Sequence, residues 1–115
     1  MDSLLEKDAA TAFSALGSES RISVLVSLVR MGSEGLNFGQ LQSKTGIPPA
    51  TLSHHVKTLV DAGLVDQERR GRVTLSRANF QRLKALSEFF LEKCCLDQVQ
   101  SGRDDVGARA LEVHL

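Results

Sequence analysis

Tryptophan and tyrosine are absent from this chain of 115 residues, and five phenylalanines are its whole aromatic content. The core must therefore be packed from aliphatic side chains. Such a core leaves a small domain little margin of stability, and burial between two subunits is a natural supplement. No run approaches the roughly 18 apolar residues of a membrane-spanning helix, so no membrane partner is expected. Met1-Asp2-Ser3 lacks the basic start and long apolar stretch of a secretion signal, which makes the cytoplasm the expected address. Cysteine is nearly missing as well: Cys94 and Cys95 are the only two, and neighbours cannot staple distant parts of a fold. The chain also lacks a nucleophile–base–orienter set, a phosphate-cradling glycine loop and a metal-ligand cluster, which argues against an enzyme.

Net charge is absent too, with 14 basic against 14 acidic groups, but the distribution is uneven. Residues 44–77 carry Lys44, Lys57, Arg69, Arg70, Arg72 and Arg77 against Asp61, Asp66 and Glu68, whereas the flanking segments are mildly acidic. Local positive charge of this kind suits phosphate neutralisation, although a solvated surface accounts for it equally well.

What is present is helical periodicity with clear punctuation. Residues 4–16 repeat apolar positions at helical spacing (Leu4, Leu5, Ala9, Ala12, Phe13, Leu16) and stop at Gly17. Ser18 suits the N-cap of a second helix, whose Ile22, Leu25, Val26 and Val29 form one stripe before Gly32 and Gly35. Asn37 caps a short third helix carrying Phe38 and Leu41 and ending at Gly46. Pro48 and Pro49 open a fourth, which is expected to bury Leu52, Val56, Leu59 and Val60. Leu64-Val65 and Val73-Thr74-Leu75 are strand candidates on either side of Gly71. Asn79 then caps a long helix reaching about Cys95. The expected organisation is one mainly α domain with a small β-hairpin (α+β) over residues 1–96. A tail over 97–115 follows, with a turn at 101–105 and a short helix over 106–113.

The fourth helix presents Thr51, Ser53, His54, His55, Lys57 and Thr58 away from its apolar stripe. Short hydroxyls and imidazoles let a helix lie deep in a DNA major groove and reach base edges, while Thr51 and Lys57 suit phosphates. The plain alternative is an ordinary solvated face. His54 and His55 cannot readily share one metal ion, because adjacent helical residues diverge by about 100°. The hairpin tip adds Arg69, Arg70 and Arg72, the side chain best matched to phosphates and narrow minor grooves. A charged edge that resists aggregation is the competing explanation.

Two segments carry a family resemblance. Ala12-Phe13-Ser14-Ala15-Leu16-Gly17-Ser18-Glu19-Ser20-Arg21-Ile22 is similar to the opening F-x-A-L-x-x-x-x-R of ArsR/SmtB winged helix-turn-helix repressors. The stretch Thr51-Leu52-Ser53-His54-His55-Val56-Lys57-Thr58-Leu59-Val60-Asp61-Ala62-Gly63-Leu64-Val65 resembles their S-x-H-L-x-x-L-x-x-A-G-L-V signature. The likeness spans about residues 10–95. It implies a homodimer, paired through its N- and C-terminal helices, that grips an inverted repeat of double-stranded DNA with recognition helices and wings. An inducer would release it. A different class, a winged-helix module for protein–protein contact, is disfavoured by Lys57 and the arginine-rich tip.

The residues narrow the inducer. Members that sense metal through the third helix carry Cys-x-Cys there, but this chain has Asn37-Phe38-Gly39-Gln40-Leu41-Gln42. Members that sense zinc through the long helix need histidine in it; here there is none, and His114 stands alone. Sulfur-oxidation sensors use cysteines far apart in sequence. The Cys94-Cys95 pair instead resembles an arsenite-sensing branch, minus that branch's third cysteine. Soft trivalent arsenic prefers three sulfurs, yet two thiolates hold it when water, hydroxide or methyl fills the third place. As(III), methylated As(III) and Sb(III) are thus the candidate inducers, bound within one chain or across the dimer, and no obligatory cofactor is implied. Gripping one atom within a chain requires the helix to fray near residue 95. A redox reading competes, since vicinal thiols also oxidise, although a disulfide between neighbours is strained. So does simple packing, because Cys94 shares an arc with Phe80, Leu83, Ser87 and Phe90.

Overall fold

In a computed structural model, residues 5–101 are described, with side chains through Leu91. Five helices and a three-stranded sheet follow in the order α1 (Glu6–Ala15), α2 (Glu19–Met31), a 3₁₀ turn (Gly32–Glu34), β1 (Leu36–Asn37), α3 (Phe38–Thr45), α4 (Pro49–Asp61), β2 (Val65–Arg70), β3 (Val73–Ala78) and α5 (Phe80–Ser101). This is a winged helix-turn-helix: α3 and α4 form the helix-turn-helix, and β2–β3 the wing.

Helix boundaries follow the capping chemistry. The Ser18 side chain accepts from the Arg21 amide at 3.3 Å. Asn37 forms a reciprocal capping box with Gln40, through Gln40 N to Asn37 Oδ1 at 2.8 Å and Asn37 N to Gln40 Oε1 at 2.9 Å. Gly46 closes α3 in the left-handed conformation, and Pro49 opens α4. Asn79 caps α5 by accepting from Arg82 N at 3.0 Å.

The core is aliphatic, as the missing aromatics dictate. Leu28, Leu36, Leu41, Leu52, Leu59, Leu64, Val24 and Val65 are its largest fully buried side chains. Helix α2 packs against α3, α4 and β3, while α1 touches α4 and α5. The face of α2 differs from expectation. Val24, Leu25 and Leu28 are buried, whereas Ile22, Val26 and Val29 are exposed, Ile22 by 45%. Two apolar sets share this helix at helical spacing, and neighbours in space rather than period select the inner one. Phe38 and Phe13 also stay exposed, and Val60 is only half-buried.

Strand β1 was not foreseen. It pairs antiparallel with β3 (Leu36 opposite Ser76, Asn37 opposite Leu75), giving the sheet order β1-β3-β2. The hairpin is longer than its apolar signal, pairing Val65 with Ala78 through to Arg70 with Val73. Helix α5 runs to Ser101, past the end expected near Cys95, so its backbone is not frayed at the cysteine pair. The helix expected over 106–113 lies outside the described residues.

Candidate nucleic-acid interface

Helix α4 is held by its buried Leu52, Val56 and Leu59, which turn the opposite side outward. Thr51, Ser53, His54 and Lys57 are exposed there. Lys57 Nζ meets Asp61 Oδ2 at 3.1 Å, an exposed pair one helical turn apart that phosphate can displace. The other two expected contacts sit elsewhere. Thr58 is half-buried, donates its hydroxyl to the His54 carbonyl at 3.0 Å, and lines a cleft of about 470 Å³ between α1 and α4 with Arg21 and Asp61. His55 is half-buried too, and its Nδ1 is sealed from water with no hydrogen-bond partner. Burial, the Arg21 charge and His54 together push the His55 pKa below its ordinary value, favouring the neutral ring.

The wing leaves directly from the end of α4. Gly63 N and Leu64 N bond back to the Val60 and Leu59 carbonyls at 2.9 and 3.0 Å. Asn79 fastens the returning strand to the same place, donating Nδ2 to the Gly63 carbonyl at 3.1 Å and its backbone N–H to Leu64 O at 2.8 Å. Alternation along β2 splits the arginine cluster. Arg69 and Arg70 point to opposite faces of the hairpin, and Arg72 occupies the two-residue turn. Arg69 Nε donates to the Gly71 carbonyl at 3.2 Å. Arg70 is engaged by Glu68, through Nε to Oε2 at 3.0 Å and Nη2 to Oε1 at 3.4 Å. Arg72 is exposed, and among the described residues no hydrogen bond or ion pair engages it.

Sequence reasoning missed Glu68 and Arg77. Arg77 Nη2 meets Glu68 Oε1 at 2.7 Å, and its Nε donates to the Ser33 carbonyl at 2.6 Å, tying the wing's base to the turn after α2. Both arginines hold the Glu68 carboxyl below the usual carboxylate range, Arg70 most strongly. The i, i+2 spacing of Glu68 and Arg70 was a readable signal. Arg77 joins them only through the hairpin register.

Among the described residues no group of histidine, cysteine and carboxylate side chains is placed to hold a metal ion, and no single helix is long and apolar enough to cross a membrane. Cys94 and Cys95 lie on α5, with side chains outside the described set.

Comparison with known proteins agrees with this geometry. The profile of the helix-turn-helix domain family matches residues 16–68. The uncharacterised HTH-type transcriptional regulator YceK of Bacillus subtilis (strain 168) is 37% identical over 75 residues, covering 63% of this chain and 74% of that protein. Two solved structures share the fold. An ArsR-family transcriptional regulator, RHA00566, superposes with a TM-score of 0.68 at 20% identity, covering 84% of this chain and 97% of that one. The homodimeric winged helix-turn-helix DNA-binding domain of Mb0332 from Mycobacterium bovis, a possible ArsR-family regulator, gives 0.61 at 20% identity, covering 89% and 95%. The chain belongs to the helix-turn-helix transcriptional regulators and has the winged-helix fold of the ArsR family: it is a DNA-binding protein, not an enzyme.

Proposed function

We propose that this regulator is a cytoplasmic homodimeric repressor that grips an inverted-repeat operator and lets go when an inducer binds. The observation that carries the DNA half is the outward polar face of α4, Thr51, Ser53, His54 and Lys57, continuous in the chain with an arginine-tipped wing. Ser53 and His54 read base edges, whereas Lys57, Thr51 and the wing arginines Arg69, Arg70 and Arg72 hold phosphates. His55 and Thr58 support the helix from its inner flank.

The dimer reading rests on an apolar face shared by α1 and α5. Phe13 (48% exposed) and Phe90 (62% exposed) meet edge to face, with centroids 6.3 Å apart at 71°. Leu83, Leu86, Ser87 and Leu91 line the open groove of about 620 Å³ beside them. The solved Mb0332 domain is a homodimer, which supports the same assembly here. Regulators of this family need no obligatory cofactor.

The inducer reading rests on Cys94 and Cys95, which hold a trivalent arsenical or antimonial. Because α5 continues as a helix past them, their positions diverge by about 100°. That divergence favours Cys94 of one protomer meeting Cys95 of its partner.

DNA duplexes selected from a random pool by the purified protein test the DNA half. Ser53→Ala or His54→Ala should change which duplexes are preferred, by about 1–3 kcal/mol per lost base contact. Arg72→Ala should weaken all duplexes alike. If helix and wing variants behave identically on matched and mismatched duplexes, the division of roles is wrong. Titration of the complex with arsenite, a monomethyl trivalent arsenical, antimonite or peroxide tests the rest. Normal release from Cys94→Ser and Cys95→Ser proteins by every reagent would remove the thiols from sensing.

A further inference from the structure

Glu68 stands between two arginines that are not equivalent. Residues 68 and 70 alternate onto one face of β2, and the register of β3 brings Arg77 onto that face as well. The Arg77 side chain is 23% exposed and has a second anchor besides Glu68, the Ser33 carbonyl. The Arg70 side chain is 61% exposed, and Glu68 is its sole side-chain partner among the described residues. The carboxylate therefore decides what the Arg70 guanidinium holds when DNA is absent.

Phosphate presents the same kind of two-oxygen acceptor to a guanidinium. To take it through the same Nε–Nη2 edge Arg70 must leave Glu68, and the carboxylate left behind repels the backbone it faces. We infer that Glu68 is a built-in competitor for Arg70 that limits the wing's hold on the phosphate backbone, leaving Arg69 and Arg72 as the wing contacts with no carboxylate against them. This rests on the wing reading above. Its consequence is a DNA grip weaker, on every sequence, than the arginine content of the wing alone would give. Nothing in the charge count discloses it, because Glu68 there is only one acidic group among several.

The test uses the full chain and a fluorescein-labelled duplex of mixed sequence, followed by anisotropy from about 50 to 200 mM salt. Glu68→Gln keeps size and hydrogen-bonding capacity but removes the charge. Its binding should tighten by about two- to fivefold at the low-salt end, the range of an exposed ion pair no longer to be broken. The slope of log affinity against log salt should steepen by about 0.9, one phosphate more. Glu68→Ala must reproduce both changes, with unaltered circular dichroism confirming the fold. In an Arg70→Ala background Glu68→Gln should have no more than the small effect of Asp66→Asn, the loss of one negative charge from that face.

Asp66→Asn removes the same charge from the same face of β2 without touching Arg70, and should have the smaller effect. Equal tightening by Asp66→Asn would reduce the result to net charge and overturn the inference. So would unchanged or weaker binding by both Glu68 variants while Arg70→Ala still weakens it. If Arg70→Ala itself leaves affinity and salt slope unchanged, the wing reading fails first.

Discussion

Replacing Gly35 with alanine tests how the wing is seated on the domain. Gly35 has φ +73° and ψ 179°, a region open essentially to glycine alone, where another residue costs about 1–3 kcal/mol. A β-carbon there would lie 2.8 Å from the Ser76 carbonyl oxygen and 3.0 Å from Arg77 Cγ. Ser76 is the strand partner of Leu36, so this clash cannot be relieved without moving β1 from β3. Overpacking of that kind adds about 1–3 kcal/mol. The stiffer unfolded chain returns about 0.4–1 kcal/mol. The net loss is about 2–5 kcal/mol, a large share of the ~5–15 kcal/mol typical of a domain. Gly71 in the wing turn is the control. It has φ +63°, but nothing lies within 4 Å of the added carbon, so Gly71→Ala should lose only about 1 kcal/mol. Urea unfolding followed by far-ultraviolet circular dichroism gives both values from the midpoints, provided the slopes agree. Equal losses at the two glycines would refute the argument that contact with β3, rather than backbone sign alone, makes Gly35 indispensable.

Two further outcomes follow from the same structure. His55 has a depressed folded pKa, so between that value and about 6.5 the unfolded chain binds more protons. Stability should be full above this window and fall as pH drops through it. His55→Gln should flatten the urea midpoint against pH, and an unchanged slope would clear His55 of the effect. Asn79→Ala removes both the α5 cap and the bond to the Gly63 carbonyl, for an expected loss of about 1–3 kcal/mol. Asn79→Ser, which restores only the cap, should recover part of that loss in the same unfolding measurement.

The helix ends were legible because a cap demands one kind of side chain at one place. Ser18, Asn37 and Asn79 announce the starts of α2, α3 and α5 in the bare sequence, and each accepts the amide three residues on. The inner face of α2 was not legible. Ile22, Val26 and Val29 satisfy the helical period as well as Val24, Leu25 and Leu28 do, and only the positions of α3, α4 and β3 choose between them. Strand β1 escaped for a related reason. Two residues carry no alternation to detect, and Leu36–Asn37 is a strand because Ser76 and Leu75 lie alongside. On the candidate interface, composition picked out the hydroxyls of α4 and the arginines of the wing as expected contacts. It could not show that His55, one position from His54, turns inward, nor that Arg69 and Arg70 part company across the hairpin.

The described contacts also bear on how a signal at the far end of α5 would reach DNA. Asn79 begins that helix and is bonded by side chain to Gly63 and by backbone to Leu64, the two residues that follow the turn out of α4. The strand that returns from the wing ends one residue earlier, at Ala78. A tilt of α5 therefore acts at one point on both α4 and the wing. In the proposed dimer, the Phe13–Phe90 face fixes where α5 rests, and ligation at Cys94 and Cys95 lies beyond that face on the same rod. A helix held near Phe90 pivots there, and its arm to Asn79 spans 11 residues against four or five to the cysteines, about 16 Å against about 6–7 Å at 1.5 Å per residue. In the proposed mechanism a small displacement at the thiols is therefore enlarged at the Asn79 joint, where α5 meets both α4 and the wing.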